Sequence, residues 1–203
     1  MQIMIKRRHF LASAAALCLA GPAAAEKISL SALSGYLNGM TTAQAPFTQV
    51  NADGSLSTGK LYLKRPGRAR FEYDPPNGGQ MIAGNGAVLI VDPKSNQAPE
   101  SYPLNRTPLS IILAPQVDLG RANMVVGHAF DGTSTIVTAQ DPEAPENGRI
   151  ELMFTDAPIE LRKWVIHDSS GTATTVILGG LETGMALRDN LFSTTVRRNG
   201  VNR

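Results

Sequence analysis

The sequence predicts a mainly β chain: an antiparallel sheet of about eleven strands, curled on itself or split into two layers, with two short helices. Three observations carry this. Short apolar runs alternate with a period of two from residue 46 onward. Clusters of Gly, Pro, Asn and Asp separate the runs at short intervals, so neighbouring strands pair antiparallel as a meander. Helical spacing of apolar residues occurs in two stretches only, 28–40 and 106–115.

The first 25 residues stand apart. Lys6, Arg7 and Arg8 precede an apolar run from Phe10 to Ala20, and Ala23-Ala24-Ala25 supplies small residues for cleavage. This reads as a secretory signal peptide cut after Ala25, since the run is shorter than the roughly 20 residues of a spanning helix. The segment RRHFL fits a twin-arginine signal, and an ordinary Sec signal with two arginines fits as well. The domain organisation is therefore 1–25 signal peptide and 26–203 one domain of about 178 residues, enough for a core or for a core with a cavity.

Removal of the leader takes three basic residues and no acidic ones from a chain with 19 Lys+Arg and 17 Asp+Glu, leaving a net charge of about −1. The short basic clusters that remain, Lys64–Arg70 and Arg197-Arg198, argue against nucleic acid as a partner. The single cysteine, Cys18, lies inside the leader. A lipoprotein signal needs a small residue before its cysteine, and here that residue is Leu17. The mature chain then has no thiol and no disulfide.

In chain order, Ile28, Leu30, Leu33, Leu37 and Met40 form the apolar stripe of a helix over 28–40, weakened by Gly35 and Gly39. Strands are expected at 46–51, 56–65, 68–74, 79–84, 87–92 and 98–103, with turns at NADG, RPG, DPPNGG and AGNG. The meander breaks at RTPLSIILAP. There Thr107 suits an N-cap and Pro108 the first helical position; Leu109, Ile112 and Leu113 share a face, and Pro115 stops the helix. Residues 116–122 can add another turn. Strands resume at 124–130, 134–140, 148–155, 159–167, 172–181 and 191–196, before a frayed tail. The two helices can cover the concave face or the mouth of the curled sheet.

Catalytic chemistry finds no support. There is no G-x-S-x-G nucleophile elbow. His128 and His167 lie in or beside strands, far apart, without metal-ligand spacing or a nucleophile. G-N-G at 84–86 follows no βαβ unit, and Glu143 and Glu146 sit in a Pro-rich loop. The expectation is a non-enzyme without cofactor or metal. An apolar inner face remains: Leu61 with Leu63, Ala69 with Phe71 and Tyr73, and Ile150 with Leu152 and Phe154, while Val88 to Val91 is apolar on both sides. Pattern alone does not separate a closed core from a cavity. One residue is out of place. Arg65 shares a face with Leu61 and Leu63, so it either reaches water at the rim or meets a partner.

Several segments together resemble a known family. PFTQ at 46–49 is followed by GKLYLKRPGRARFEYDPP at 59–76, IAGNGAVLIVDP at 82–93, YPLNRTPLSIIL at 102–113, HDSSGTATTVIL at 167–178 and LF at 191–192. The series, above all G-x-L-x-L-x-R-P-x-x-x-R-x-x-Y, resembles the LolA family of periplasmic outer-membrane lipoprotein carriers over nearly the whole mature chain. The resemblance implies a half-open antiparallel β-barrel of about eleven strands with an α-helical lid. It implies a monomeric periplasmic chaperone whose cavity takes the acyl chains of triacylated lipoproteins, received from a LolCDE-type inner-membrane transporter and passed to a LolB-type receptor.

The family's functional arginine falls on Arg65, which is similar to a latch hydrogen-bonded to the lid in the empty carrier. Lining residues expected on this basis, with strand parity, are Phe47, Leu61, Leu63, Phe71, Tyr73, Leu89, Leu109, Ile112, Leu113, Ile150, Leu152 and Phe154. The match departs at Ala69, where the family usually carries a bulky apolar or aromatic residue. Alternatives left open are a periplasmic lipid-binding or sensor module on the same half-barrel, and a combined carrier and receptor.

Overall fold

The computed structural model describes residues 27–95 and 97–194; the leader 1–25 with Cys18, and the tail from 195, lie outside the described residues. Helix α1 (Leu30–Gly39) begins where Ser29 Oγ accepts from the backbone N–H of Ala32 at 3.2 Å, and it buries Leu33 and Leu37. Six strands follow: β1 (Thr42–Val50), β2 (Leu56–Lys64), β3 (Arg68–Tyr73), β4 (Gln80–Gly84), β5 (Ala87–Val91) and β6 (Glu100–Pro103). A 3-10 turn, Leu104–Arg106, leads into α2 (Leu109–Leu113). Then come β7 (Val125–Phe130), β8 (Thr135–Gln140), β9 (Arg149–Thr155), β10 (Glu160–His167), β11 (Ala173–Leu178) and a short β12 (Glu182–Thr183).

All pairings are antiparallel, in the order β6-β5-β4-β3-β2-β1-β11-β10-β9-β8-β7, with β12 beside β1. Two meanders are thus joined by β1 against β11, and β6 and β7 are the open edges. The sheet curls strongly. Phe71 on β3 and Trp164 on β10 are four strand spacings apart, which a flat sheet would hold at about 19 Å. Their ring centroids are 6.2 Å apart, edge to face. The architecture is a half-open antiparallel barrel whose concave face holds the core and is covered by the two helices.

Two residues explain how β1 tolerates its central place. Pro46 lacks an N–H and is disfavoured inside a sheet. Its carbonyl accepts from Gly179 N–H at 2.8 Å, so its missing N–H faces the same side, where β1 changes partner from β11 to β12. On the other side Gly59 pairs with Phe47 and Tyr73 in one row. A Cβ at Gly59 would lie 2.0 Å from the Glu72 carbonyl oxygen and 2.9 Å from the Phe47 ring. Its absence lets Phe47 pack edge-on against Phe71 and Tyr73, each at 5.3 Å.

Three expectations are corrected. The strand expected at 191–196 is, in its described part, the end of a 3-10 turn, Asp189–Phe192, and the twelfth strand is Glu182–Thr183 instead. That turn lies against the outer side of β3 and β4, held by Asp189 to Lys64 and Arg68 at 2.7 and 2.6 Å and by the Leu191 carbonyl to Arg70 at 3.1 Å. Thr107 does not cap α2: its hydroxyl donates to the Leu104 carbonyl at 2.8 Å, closing the preceding 3-10 turn. Residues 116–122 add no helix, because the N–H groups of Val117 and Leu119 bond to side chains of α1.

Candidate functional site

Arg65 follows β2 directly, and its backbone N–H donates to the Thr41 carbonyl at 2.8 Å. This fixes the side chain on the concave side, beneath the ends of both helices. Nη1 donates to the Leu37 carbonyl in the last turn of α1. Nη2 donates to the Ala114 carbonyl, just past α2, at 2.7 Å and to Asn38 Oδ1 at 3.2 Å. Carbonyls at helix C-termini have no intrahelical partner, and they are the negative end of the helix dipole. One guanidinium therefore serves both helix ends at once, as a planar fork with five donors can. Its Nε is buried without a partner. Burial pulls the Arg65 pKa below its ordinary value, and the group remains protonated.

The residues around Arg65 tie the helices into one unit. Asn38 exchanges two hydrogen bonds with Val117, its amide donating to the carbonyl and its oxygen accepting from the N–H, both at 2.8 Å. Ser34 Oγ donates to the Leu30 carbonyl at 2.7 Å and accepts from Leu119 N–H at 3.0 Å. Gly67 N–H donates to the Leu113 carbonyl at 2.8 Å, joining the β2–β3 turn to α2. Sequence reasoning missed Ser34 and Asn38. The signal was available: two hydrogen-bonding side chains four apart on one face of a short helix.

Beside this closed region lies a half-open cavity of about 680 Å³ between β3, β4 and β5 on one side and β10 and β11 on the other. Of the residues expected to line a cavity, Phe71, Tyr73 and Leu109 do so. Phe47, Leu61, Leu63, Ile112, Ile150, Leu152 and Phe154 are instead buried in the continuous core under the helices, and Leu113, in the same core, lines a second cavity of about 820 Å³ between the β2–β3 turn and α2. Leu89 is a correction. It pairs with Ile82, which pairs with Arg70, so it points to the outer face; Val88 and Ile90 take the inner one. The run VLIV is apolar at every position, so parity could not be read from it. The walls that sequence reasoning did not name include Met81, Ile90, Trp164, Ile166 and Val176.

Part of the rim is a neutral hydrogen-bonded network, beside the charged residues Asp92, Lys94 and Asp168. Tyr73 O–H donates to Gln49 Oε1 at 2.9 Å, and Gln49 Nε2 donates to Asn51 Oδ1 at 2.6 Å. Asn51 and Asn77 both donate to Ser57 Oγ, at 3.1 and 2.9 Å. Burial raises the Tyr73 pKa above its ordinary value, so it stays a neutral donor. Among the described residues no cluster of three His, Cys, Asp or Glu could hold a metal, and no helix is long and apolar enough to cross a membrane. The arrangement is suited to binding an apolar ligand and to a conformational latch.

The chain is 24% identical over 172 residues to the outer-membrane lipoprotein carrier protein of Methylobacillus flagellatus, covering 81% of this chain and 83% of that one. It is 27% identical over 184 residues to the protein of the same name from Methylococcus capsulatus, covering 87% and 88%. A solved LolA-superfamily protein of Nitrosomonas europaea is 8% identical with a TM-score of 0.43, covering 82% of this chain and 98% of that one. The family model for the outer membrane lipoprotein carrier protein LolA matches residues 38–195, a span that contains the twelve strands among the described residues and α2, and the chain therefore belongs to the LolA family.

Proposed function

We propose that this protein is a periplasmic carrier, exported with loss of residues 1–25. It takes triacylated lipoproteins from a LolCDE-type inner-membrane transporter to a LolB-type receptor at the outer membrane, with no covalent chemistry and as a monomer. The observation that carries the reading is Arg65 bonded to the C-terminal ends of both helices. In the empty protein these bonds hold the helices over the apolar core. Arriving acyl chains displace the helices, and the bonds break.

The energetics suit transfer rather than storage. Each buried CH₂ contributes about 0.8 kcal/mol, so three long chains fully buried would hold the cargo too tightly to pass on. Re-closing the latch offsets part of that, each hydrogen bond to a charged group contributing roughly 1.5–3 kcal/mol. The half-open cavity of about 680 Å³ holds on the order of twenty water-sized groups, too few by itself for three chains.

The test is release of a triacylated lipoprotein from inner-membrane spheroplasts by the mature protein. A soluble one-to-one complex is expected, and no release by folded protein would sink the carrier reading. In the same assay Arg65→Leu is expected to accept cargo and fail to deliver it to the receptor.

A further inference from the structure

Asparagine followed by glycine is the pair most open to spontaneous deamidation, because glycine has no side chain to shield its backbone nitrogen. Four such pairs lie among the described residues: Asn38-Gly39, Asn77-Gly78, Asn85-Gly86 and Asn147-Gly148. The fold protects three of them. Asn38, in α1, is bonded through both side-chain polar atoms, to Val117 and Arg65. Asn77 Nδ2 donates to Ser57 Oγ at 2.9 Å, and Gly78 N–H donates to the Asp74 carbonyl at 3.1 Å. Asn147 Nδ2 donates to the Asn105 carbonyl at 3.3 Å, and Gly148 N–H donates to the Pro145 carbonyl at 3.2 Å.

Asn85-Gly86 differs on each count. It is the exposed two-residue tip between the paired residues Gly84 and Ala87. With φ at +51° for Asn85 and +76° for Gly86, both central residues are left-handed, as a type I′ turn requires. Among the described residues, neither the Asn85 side chain nor the Gly86 N–H has a hydrogen-bond partner. Only the torsions of the tip itself have to change before the nitrogen meets the amide carbon.

The same tip supports the lid. The Gly86 carbonyl accepts from Leu104 N–H at 2.8 Å, at the start of the 3-10 turn that leads into α2. Asn85, Gly86 and Leu104 line the second cavity together with Ile111 and Leu113 of α2.

We propose that Asn85 is the first of these four pairs to deamidate in the folded protein, and that its isoaspartyl product loosens the start of α2. Hydroxide takes the Gly86 N–H proton, and the nitrogen bonds to Asn85 Cγ. The Cγ–Nδ2 bond breaks, and Nδ2 leaves as ammonia after taking a proton from water, which restores the hydroxide. Water then opens the five-membered imide. Cleavage at Cγ gives aspartate, and cleavage at the backbone carbonyl carbon of residue 85 gives isoaspartate, whose chain runs through Cβ and Cγ. Aspartate keeps the turn, because Asp-Gly suits type I′ as Asn-Gly does. Isoaspartate adds one methylene to the backbone of a two-residue turn, and the Gly86 carbonyl moves off Leu104. The site does not depend on the lipid-carrier reading.

The experiment incubates the full mature protein in mildly alkaline buffer, folded and in urea. Peptide mapping by mass spectrometry follows the four pairs, and enzymatic carboxyl methylation identifies isoaspartate. In urea all four are expected to convert at comparable rates. In the folded protein each hydrogen bond that must open first slows the attack by roughly fivefold, so Asn85 is expected to lead Asn77 and Asn147 by about tenfold or more. Amide exchange at Leu104 is expected to quicken about fivefold in the isoaspartyl fraction and to stay within about twofold of the parent in Asn85→Asp.

Earlier conversion of Asn38, Asn77 or Asn147 in the folded protein overturns the site. So does an Asn85 that stays intact when folded and converts in urea. Leu104 exchange that is unchanged in the isoaspartyl fraction, or that quickens equally in Asn85→Asp, overturns the effect on α2.

Discussion

Replacing Arg65 by leucine removes the fork that joins α1 to α2 and leaves the Leu37 and Ala114 carbonyls without their donors. A single hydrogen bond to a charged group contributes roughly 1.5–3 kcal/mol, and bonds sharing one guanidinium are not additive. For a half-buried group making three of them, about 3 kcal/mol of lid closure is a reasonable total. That converts to about a hundredfold rise in the open fraction of the lid. The assay is amide hydrogen exchange at Val117 and Leu119, whose N–H groups bond to Asn38 and Ser34 of α1 and are released when the helices part. Arg65→Lys keeps the charge and loses the fork, and should fall between, at about tenfold. Protection unchanged in Arg65→Leu, with the β-sheet amides as an internal reference, would refute the argument that this residue holds the lid.

Other consequences are testable on the same protein. Asn38→Ala leaves both backbone groups of Val117 unmatched and should cost about 2–3 kcal/mol in thermal unfolding, more than Ser34→Ala, which frees one N–H. Gly59→Ala has no room beside the Glu72 carbonyl and should destabilise by about 3 kcal/mol or more; a melting temperature equal to the parent's would contradict the strand register. Hydrogen bonding and attraction from Lys64, with Arg68 adding to it, hold the Asp189 carboxyl below the ordinary carboxylate range. A depressed folded-state pKa means that this contact is at full strength above the ordinary range and is lost as pH falls through the lowered value. Exchange at Leu191 and Ser193 should therefore stay slow at neutral pH and rise only in strongly acid solution, and an onset near neutrality would count against it.

Much of the fold was legible because its signals are local. Each hairpin carries its own turn residues, and the alternation in RARFEY and RIELMFT places their inner faces without ambiguity. The position of Arg65 on an apolar face was legible as a question, and the acceptors that answer it lie on helix ends the sequence also located. What could not be read depended on distant segments. Leu89 faces outward because its register partners, Ile82 and then Arg70, do so, a pairing that the apolar run itself does not reveal. Core and cavity could not be told apart, since Leu61 and Phe71 lie in one row with the same chemistry, one sealed in the core and the other at the cavity wall. The short β12 has no alternation to betray it; it exists because β1 offers an edge below Pro46.

The junction between the two meanders also bears on how the chain reaches this state. Strands β1 and β2 are in register over nine residue pairs, while β1 and β11 share four, Phe47–Val50 against Thr175–Leu178. The hairpins on either side close loops of a few residues, but this pairing joins the two ends of the domain. Loop-closure entropy must be met before so remote a pairing returns anything, so the two meanders should form early and the seam last. Refolding chains would then pass through a species with two curled half-sheets and an exposed apolar interior. Its lifetime is set by one short ladder, which makes Phe47 and Val176 the positions where substitutions should slow refolding most.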